Sequence, residues 1–180
     1  MSSAQRILLL LGLLLICSVL AQAQQQAGGV DDGVVTGSLR ELRDKRQVLL
    51  MVRRSAVIDS RGQSRSILSE VYRTDAESPQ HFARIYNTIA ARLNKYMARY
   101  GSISAVRDIS QAEFIIYFNL LEYRKPLGHP YPYGEMFVIL NERSSSQPPR
   151  IIWKTRKSSV WAEDAINELI SDLKVARGEG

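Results

Sequence analysis

The chain has 180 residues, with 24 lysines and arginines against 18 aspartates and glutamates, one cysteine and two histidines. That length suits one domain with an ordinary apolar core once the amino terminus is set aside. So few cysteines and histidines exclude a disulfide scaffold and argue against a thiolate or multi-histidine metal centre.

The chain opens with a secretory pattern. Met1 to Arg6 carry a single basic side chain, Ile7 to Leu20 form an apolar run, and Ala21-Gln22-Ala23 places small residues where a signal peptidase reads. The run is shorter than the roughly 20 residues that a spanning helix needs. Residues 1–23 are therefore read as a signal peptide and no transmembrane segment is expected after its removal, so the protein is periplasmic or extracellular. Cys17 falls inside the leader and follows Ile16, where lipoprotein processing wants a small residue. Without the leader the chain has no cysteine and stays basic. For an exported protein, that charge points to an envelope protein or an anionic glycan or lipid, and no nucleic acid is expected.

Residues 24–37, rich in Gln, Gly and Asp, read as a flexible spacer before one domain over 38–177. Ser38-Leu39-Arg40-Glu41 matches a capping box with Leu39 and Leu42 as apolar anchors. Gln47 to Val52 is a continuous run, apolar apart from its first residue, that predicts a buried first strand, which Val57-Ile58 could resume. Asp59 to Arg65 has turn chemistry, and Ser66 to Arg73 fits a short helix as well as an irregular strand. Ser78-Pro79 predicts a helix start, and the spacing of Phe82, Ile85, Tyr86, Ile89, Leu93, Tyr96, Met97 and Tyr100 carries the helix to Gly101.

Ser102 to Val106 predicts a short strand or extended connector. Gln111 to Tyr123 is the pivotal strand: Ala112, Phe114, Ile116, Phe118 and Leu120 alternate on one face, with Ile115, Tyr117, Asn119, Leu121 and Tyr123 on the other. The prolines of Arg124 to Gly134 are expected to end it. Glu135 to Asn141 and Arg150 to Lys157 predict an antiparallel hairpin around the loop Ser144 to Pro149. Ser158-Ser159 should cap a last helix lined by Ala162, Ala165, Ile166, Leu169, Ile170, Leu173 and Ala176.

Candidate contact residues fall in two places. Arg84, Arg92, Lys95 and Arg99 share one arc of the first long helix; they suit an anionic partner, or pairing with Glu163, Asp164, Glu168 and Asp172 of the last helix. The loop His129-Pro130-Tyr131-Pro132-Tyr133-Gly134 offers tyrosines held by prolines, suited to sugars or a peptide, or simply packed on the sheet edge. His81 and His129 lie in unlike contexts, so no metal or other cofactor is expected. Glu122 and Glu135 could face each other across neighbouring strands, which leaves a glycan-acting hydrolase as the alternative to a non-catalytic protein. Direct binding to anionic lipid is a third possibility.

A helix, then Ser110-Gln-Ala-Glu-Phe-Ile-Ile-Tyr-Phe118, a hairpin carrying Arg150-Ile-Ile-Trp-Lys154, and a closing helix through Glu163 to Leu173 together resemble a recurrent envelope-protein pattern. The order is similar to the amino-terminal domain of TolB and to outer-membrane lipoproteins of the CsgG and penicillin-binding-protein-activator kind. The resemblance covers Ser78 to Arg177, rests on element order, and departs in having no lipid-attachment cysteine. It implies a non-catalytic accessory domain of the bacterial envelope, with no site residues carried over. The expected fold is α+β: a two-layer sandwich with a mixed, largely antiparallel sheet of about four or five strands and two long helices on one face.

Overall fold

The central strand, β3 (Phe114–Arg124), is buried from Phe114 to Leu120 because it has neighbours on both edges and cover on both faces. It runs parallel to β1 (Gln47–Arg53), with Ile116 opposite Leu50. It runs antiparallel to β4 (Tyr131–Leu140), with Ile116 opposite Val138. These contacts come from a computed structural model that describes residues 34–54, 66–73, 82–141 and 148–179, all within the compact unit Asp32–Gly180. The signal peptide, residues 24–33 of the spacer, the Val57-Ile58 resumption, the Asp59–Arg65 turn, the Ser78-Pro79 start, His81 and Ser144–Gln147 lie outside the described residues.

Two-residue β2 (Ser104–Ala105) adds in parallel beyond β1, and β5 (Arg150–Lys154) adds antiparallel beyond β4. A short β6 (Val160–Trp161) also pairs with β4, beside Tyr133 and Gly134. The sheet is therefore mixed and six-stranded, in the order β2-β1-β3-β4-β5, and open at β2 and β5.

The ambiguous stretch after Ser66 is a short helix, α1 (Ile67–Val71). The two long helices are α2 (Ala83–Tyr100) and α3 (Ala162–Arg177). Both end as the sequence predicts. Gly101 and Gly178 take left-handed φ values of 63° and 71° and return their N–H groups to the last turns. Ile85, Ile89 and Leu93 of α2 and Ile166, Leu169 and Leu173 of α3 share one core with Phe114, Ile116, Phe118, Met136 and Val138. Each such side chain contributes about 1.5 to 3 kcal/mol on full burial. On the other face, Ile67 and Val71 of α1 cover Ile115, Tyr117, Phe137 and Ile139. The two long helices do lie on one face, and the short one lies on the other.

Four local expectations give way. Ala112 packs with the α1-side core rather than with Phe114, because the strand begins only at Phe114. β3 and β4 extend to Arg124 and back to Tyr131 despite the prolines. Just beyond β4, Asn141 donates to Glu113 in the β3 direction, so the even-numbered residues of β4, Pro132 included, turn their backbone N away from β3. The pivotal strand also changes phase: a bulge at Leu121 leaves Glu122, not Leu121, opposite Tyr133. Finally β5 stops at Lys154, and α3 starts at Ala162 after Trp161 rather than at a Ser158-Ser159 cap. Val160 and Trp161 are strand formers and are taken up by the ladder to β4 before the helix can begin.

Candidate functional site

The first candidate surface is the outer face of α2. Arg84, Arg92, Lys95 and Arg99 are all exposed, and no acidic residue lies between Ala83 and Tyr100. Arg92 pairs across the helix interface with Glu163. The other acids of α3 do not follow it. Glu168 and Asp172 turn toward β5, where Asp172 takes two bonds from Arg156 at 3.0 and 3.1 Å and one from the Trp153 indole at 2.9 Å. Arg156 also lies 3.6 Å from Glu168. Helical geometry explains the split: Glu168 and Asp172 are one turn apart on the flank of α3 opposite Glu163. Asp164 is exposed and bonds none of the basic residues. Arg84 and Lys95 therefore have no ion-pair partner among the described residues, and Arg99 has only the Tyr100 ring, 5.4 Å from its guanidinium carbon.

The second surface is the far end of the β3–β4 hairpin. The bulge at Leu121 sends Glu122 and Arg124 to the same side as Tyr133 and Tyr131, their partners across the ladder. Arg124 lies over the Tyr133 ring at 4.4 Å. Its Nε donates to Glu122 at 2.7 Å and one Nη donates to the Ser159 hydroxyl at 3.1 Å. Tyr131 meets Trp161 edge to face, with centroids 5.2 Å apart. His129 stands apart: its backbone N–H closes the 3-10 turn Pro126–Gly128, and its exposed imidazole joins neither tyrosine. The sequence marks none of Ser159, Arg124 and Trp161 as a contact residue, and Ser159 only as a helix cap. Trp161 carries no periodic signal, since it belongs to a two-residue strand far along the chain.

The carboxylate pair comes out on one face, because Glu122 lies opposite Tyr133 and Glu135 is two residues further along β4. Burial raises the Glu135 carboxyl above the usual range, with Lys154 opposing. Glu122 is half exposed and held by Arg124, so the pair has one sheltered member and one in open solvent. Among the described residues, no group of three or more His, Cys, Asp or Glu is placed to hold a metal ion. Nor is any described helix long and apolar enough to cross a membrane.

A further hollow, of about 350 Å³, lies between the segment Gly37 to Arg40, the β5 pair Ile152 and Trp153, and the α3 flank at Asp172, Val175 and Ala176. No candidate contact residue lines it.

No family model matches the chain, and no curated protein matches it. A solved chain of a PelC dodecamer from Paraburkholderia phytofirmans is similar at a TM-score of 0.36 and 12% identity, over 81% of this chain and 92% of that one. At that distance the likeness carries neither ligand nor assembly to this protein.

Proposed function

We propose that the protein is an exported, non-catalytic component of the bacterial cell envelope that binds an anionic envelope partner through the outer face of α2. One observation carries this reading: Arg84, Lys95 and Arg99 stand exposed along one helix face with no ion-pair partner among the described residues, while Glu168 and Asp172 are engaged by Arg156. Like charges on neighbouring turns repel by a few tenths of a kcal/mol per pair, and an anionic partner removes that repulsion. The chemistry suits a lipid head group or an acidic polymer equally.

The test reverses all three charges. Co-sedimentation with phosphatidylglycerol vesicles and affinity for soluble polygalacturonate are measured at about 20 and 300 mM salt, since screening weakens exposed contacts between these limits. The native chain should bind one of the probes at low salt, and the Arg84→Glu, Lys95→Glu, Arg99→Glu variant should not. Vesicle binding alone identifies a head group and polymer binding alone an acidic glycan; binding of neither, or equal binding by the variant, overturns the reading.

The hydrolase reading draws on the shared face of Glu122 and Glu135. The bond from Arg124 to Glu122 weighs against it, and release of reducing ends from a glycan, lost in Glu135→Gln, would restore it.

A further inference from the structure

The hairpin end is built differently from the basic face of α2. Its rings are only partly buried: Tyr131 and Tyr133 belong to neither core, and Trp161 packs against the edge of the core beneath the long helices. They are nonetheless held in place, Tyr133 beneath Arg124 and Tyr131 against Trp161, and Arg124 is itself fixed by Glu122 and Ser159. A surface of this kind loses little side-chain freedom when something binds to it. It is also close to electrically balanced, since Arg124 is offset by Glu122 and the nearby Glu135 has Lys154 beside it.

We infer that this end of the hairpin is a carbohydrate-binding platform, on which a sugar ring lays its apolar face against one ring of the Tyr131–Trp161 pair, whose planes stand at 87° to each other. Its hydroxyls meet donors from Arg124 and acceptors from Glu122 and the Ser159 hydroxyl. The argument is one of chemical complementarity. A pyranose offers carbon-bound hydrogens on one face, which suit the negative face of an aromatic ring. Around its rim it offers hydroxyls that donate and accept at once, and only a frame with both kinds of partner satisfies them. A lipid head group is the poorer match. Anionic lipid finds no net positive charge here, because Arg124 is already paired with Glu122, and the rings stand among fixed polar groups rather than on an apolar ledge.

The bulge at Leu121 is what assembles the platform. Strict alternation through Leu121 would have placed Tyr123 on this side and sent Arg124 to the opposite face. Gly134 permits the irregularity, because a Cβ there would lie 2.1 Å from the Asn119 carbonyl oxygen.

Binding is followed by tryptophan fluorescence with a neutral hexasaccharide of N-acetylglucosamine. The chain has two tryptophans, and Trp153 is tied to Asp172, so Trp153→Phe leaves Trp161 as the reporter. The hexasaccharide should change the Trp161 signal, with an affinity that salt barely alters. Tyr131→Ala and Arg124→Ala should each weaken it about tenfold or more, in proteins whose circular dichroism and melting midpoint match the parent. The charge-reversed α2 variant should bind the sugar normally. This separates the two sites: loss of sugar binding with retained vesicle or polyuronate binding overturns the platform alone. No fluorescence change up to millimolar hexasaccharide overturns it, as does binding that Tyr131→Ala and Arg124→Ala leave untouched. It is equally overturned if those two substitutions abolish binding to vesicles while the sugar is ignored.

Discussion

Gly134 occupies a position where a side chain has no room. A Cβ would meet the Asn119 carbonyl oxygen at 2.1 Å and the Phe118 ring at 2.9 Å, and the first of these is backbone that cannot swing aside. Gly134→Ala should therefore cost about 1 to 3 kcal/mol, the usual range for forced overpacking. It should also disturb the seat of Arg124 on Tyr133. Urea denaturation measures the first effect, and an unchanged midpoint would show that the strands part without strain. Glu135 makes the opposite kind of residue-level prediction. Burial raises its carboxyl in the folded protein, so folding favours the protonated form. The stability that goes with that proton is complete below the unfolded carboxylate range, and is lost as pH rises through the raised folded value. Glu135→Gln keeps the side chain neutral at every pH. It should melt higher than the parent at pH 7, with the gap closing as pH falls through the raised folded value and gone below about 4; a constant gap would mean that charge burial is not the cause.

Among the elements, those whose pattern repeats were legible and those that depend on a single irregularity were not. The alternation of Phe114, Ile116 and Phe118 and the helical spacing of Ile85, Ile89 and Leu93 each hold, since burial on one face enforces them. The faces of Glu122, Tyr123 and Arg124 are not readable, because one bulged residue inverts everything after it. For the same reason the platform was half visible: its tyrosines stand together in sequence, but Trp161 and Arg124 reach them through ladder register. The capping box at Ser38 was legible, though not its attachment. The Ser38 N–H donates to Glu41 Oε1 at 2.8 Å, while Glu41 Oε2 accepts from Arg150 of β5 at 2.5 Å. The Arg150 bond, aided by Ser38, lowers the Glu41 pKa against the effect of burial. Its contribution is thus present above the unfolded carboxylate range and lost as pH falls through the lowered folded value, opposite in sign to Glu135. Glu41→Gln should lower the melting midpoint at pH 7 and match the parent at the acid end of a pH series. Equal midpoints at pH 7 would show that the turn is not anchored by this pair.

At the scale of the whole molecule, the carboxyl end of α3 gathers chain segments that the sheet does not join. Arg177, with 5% of its side chain exposed, reaches the Leu42 carbonyl, the Lys45 carbonyl at 3.2 Å, the Ser102 carbonyl at 3.1 Å and Glu179 at 3.3 Å. One guanidinium thus ties the last helix to the 3-10 turn Leu39–Leu42, to the approach to β1, and to the turn after α2. Glu179 extends the tie by accepting from the Tyr96 hydroxyl; burial first and that bond second push the tyrosine up to about 12. Arginine suits the position because its planar fork donates in several fixed directions, which an ammonium cannot do. Arg177→Met keeps most of the stem but strands three carbonyls and the Glu179 carboxylate, and should cost about 3 kcal/mol or more. Arg177→Lys restores the charge without the fork, so it should recover only part of that loss. Equilibrium unfolding in urea of the parent and both variants orders the three. If lysine performs as well as arginine, charge alone holds the segments together; if methionine does, the network contributes nothing and the packed faces of α2 and α3 hold the end of the helix by themselves.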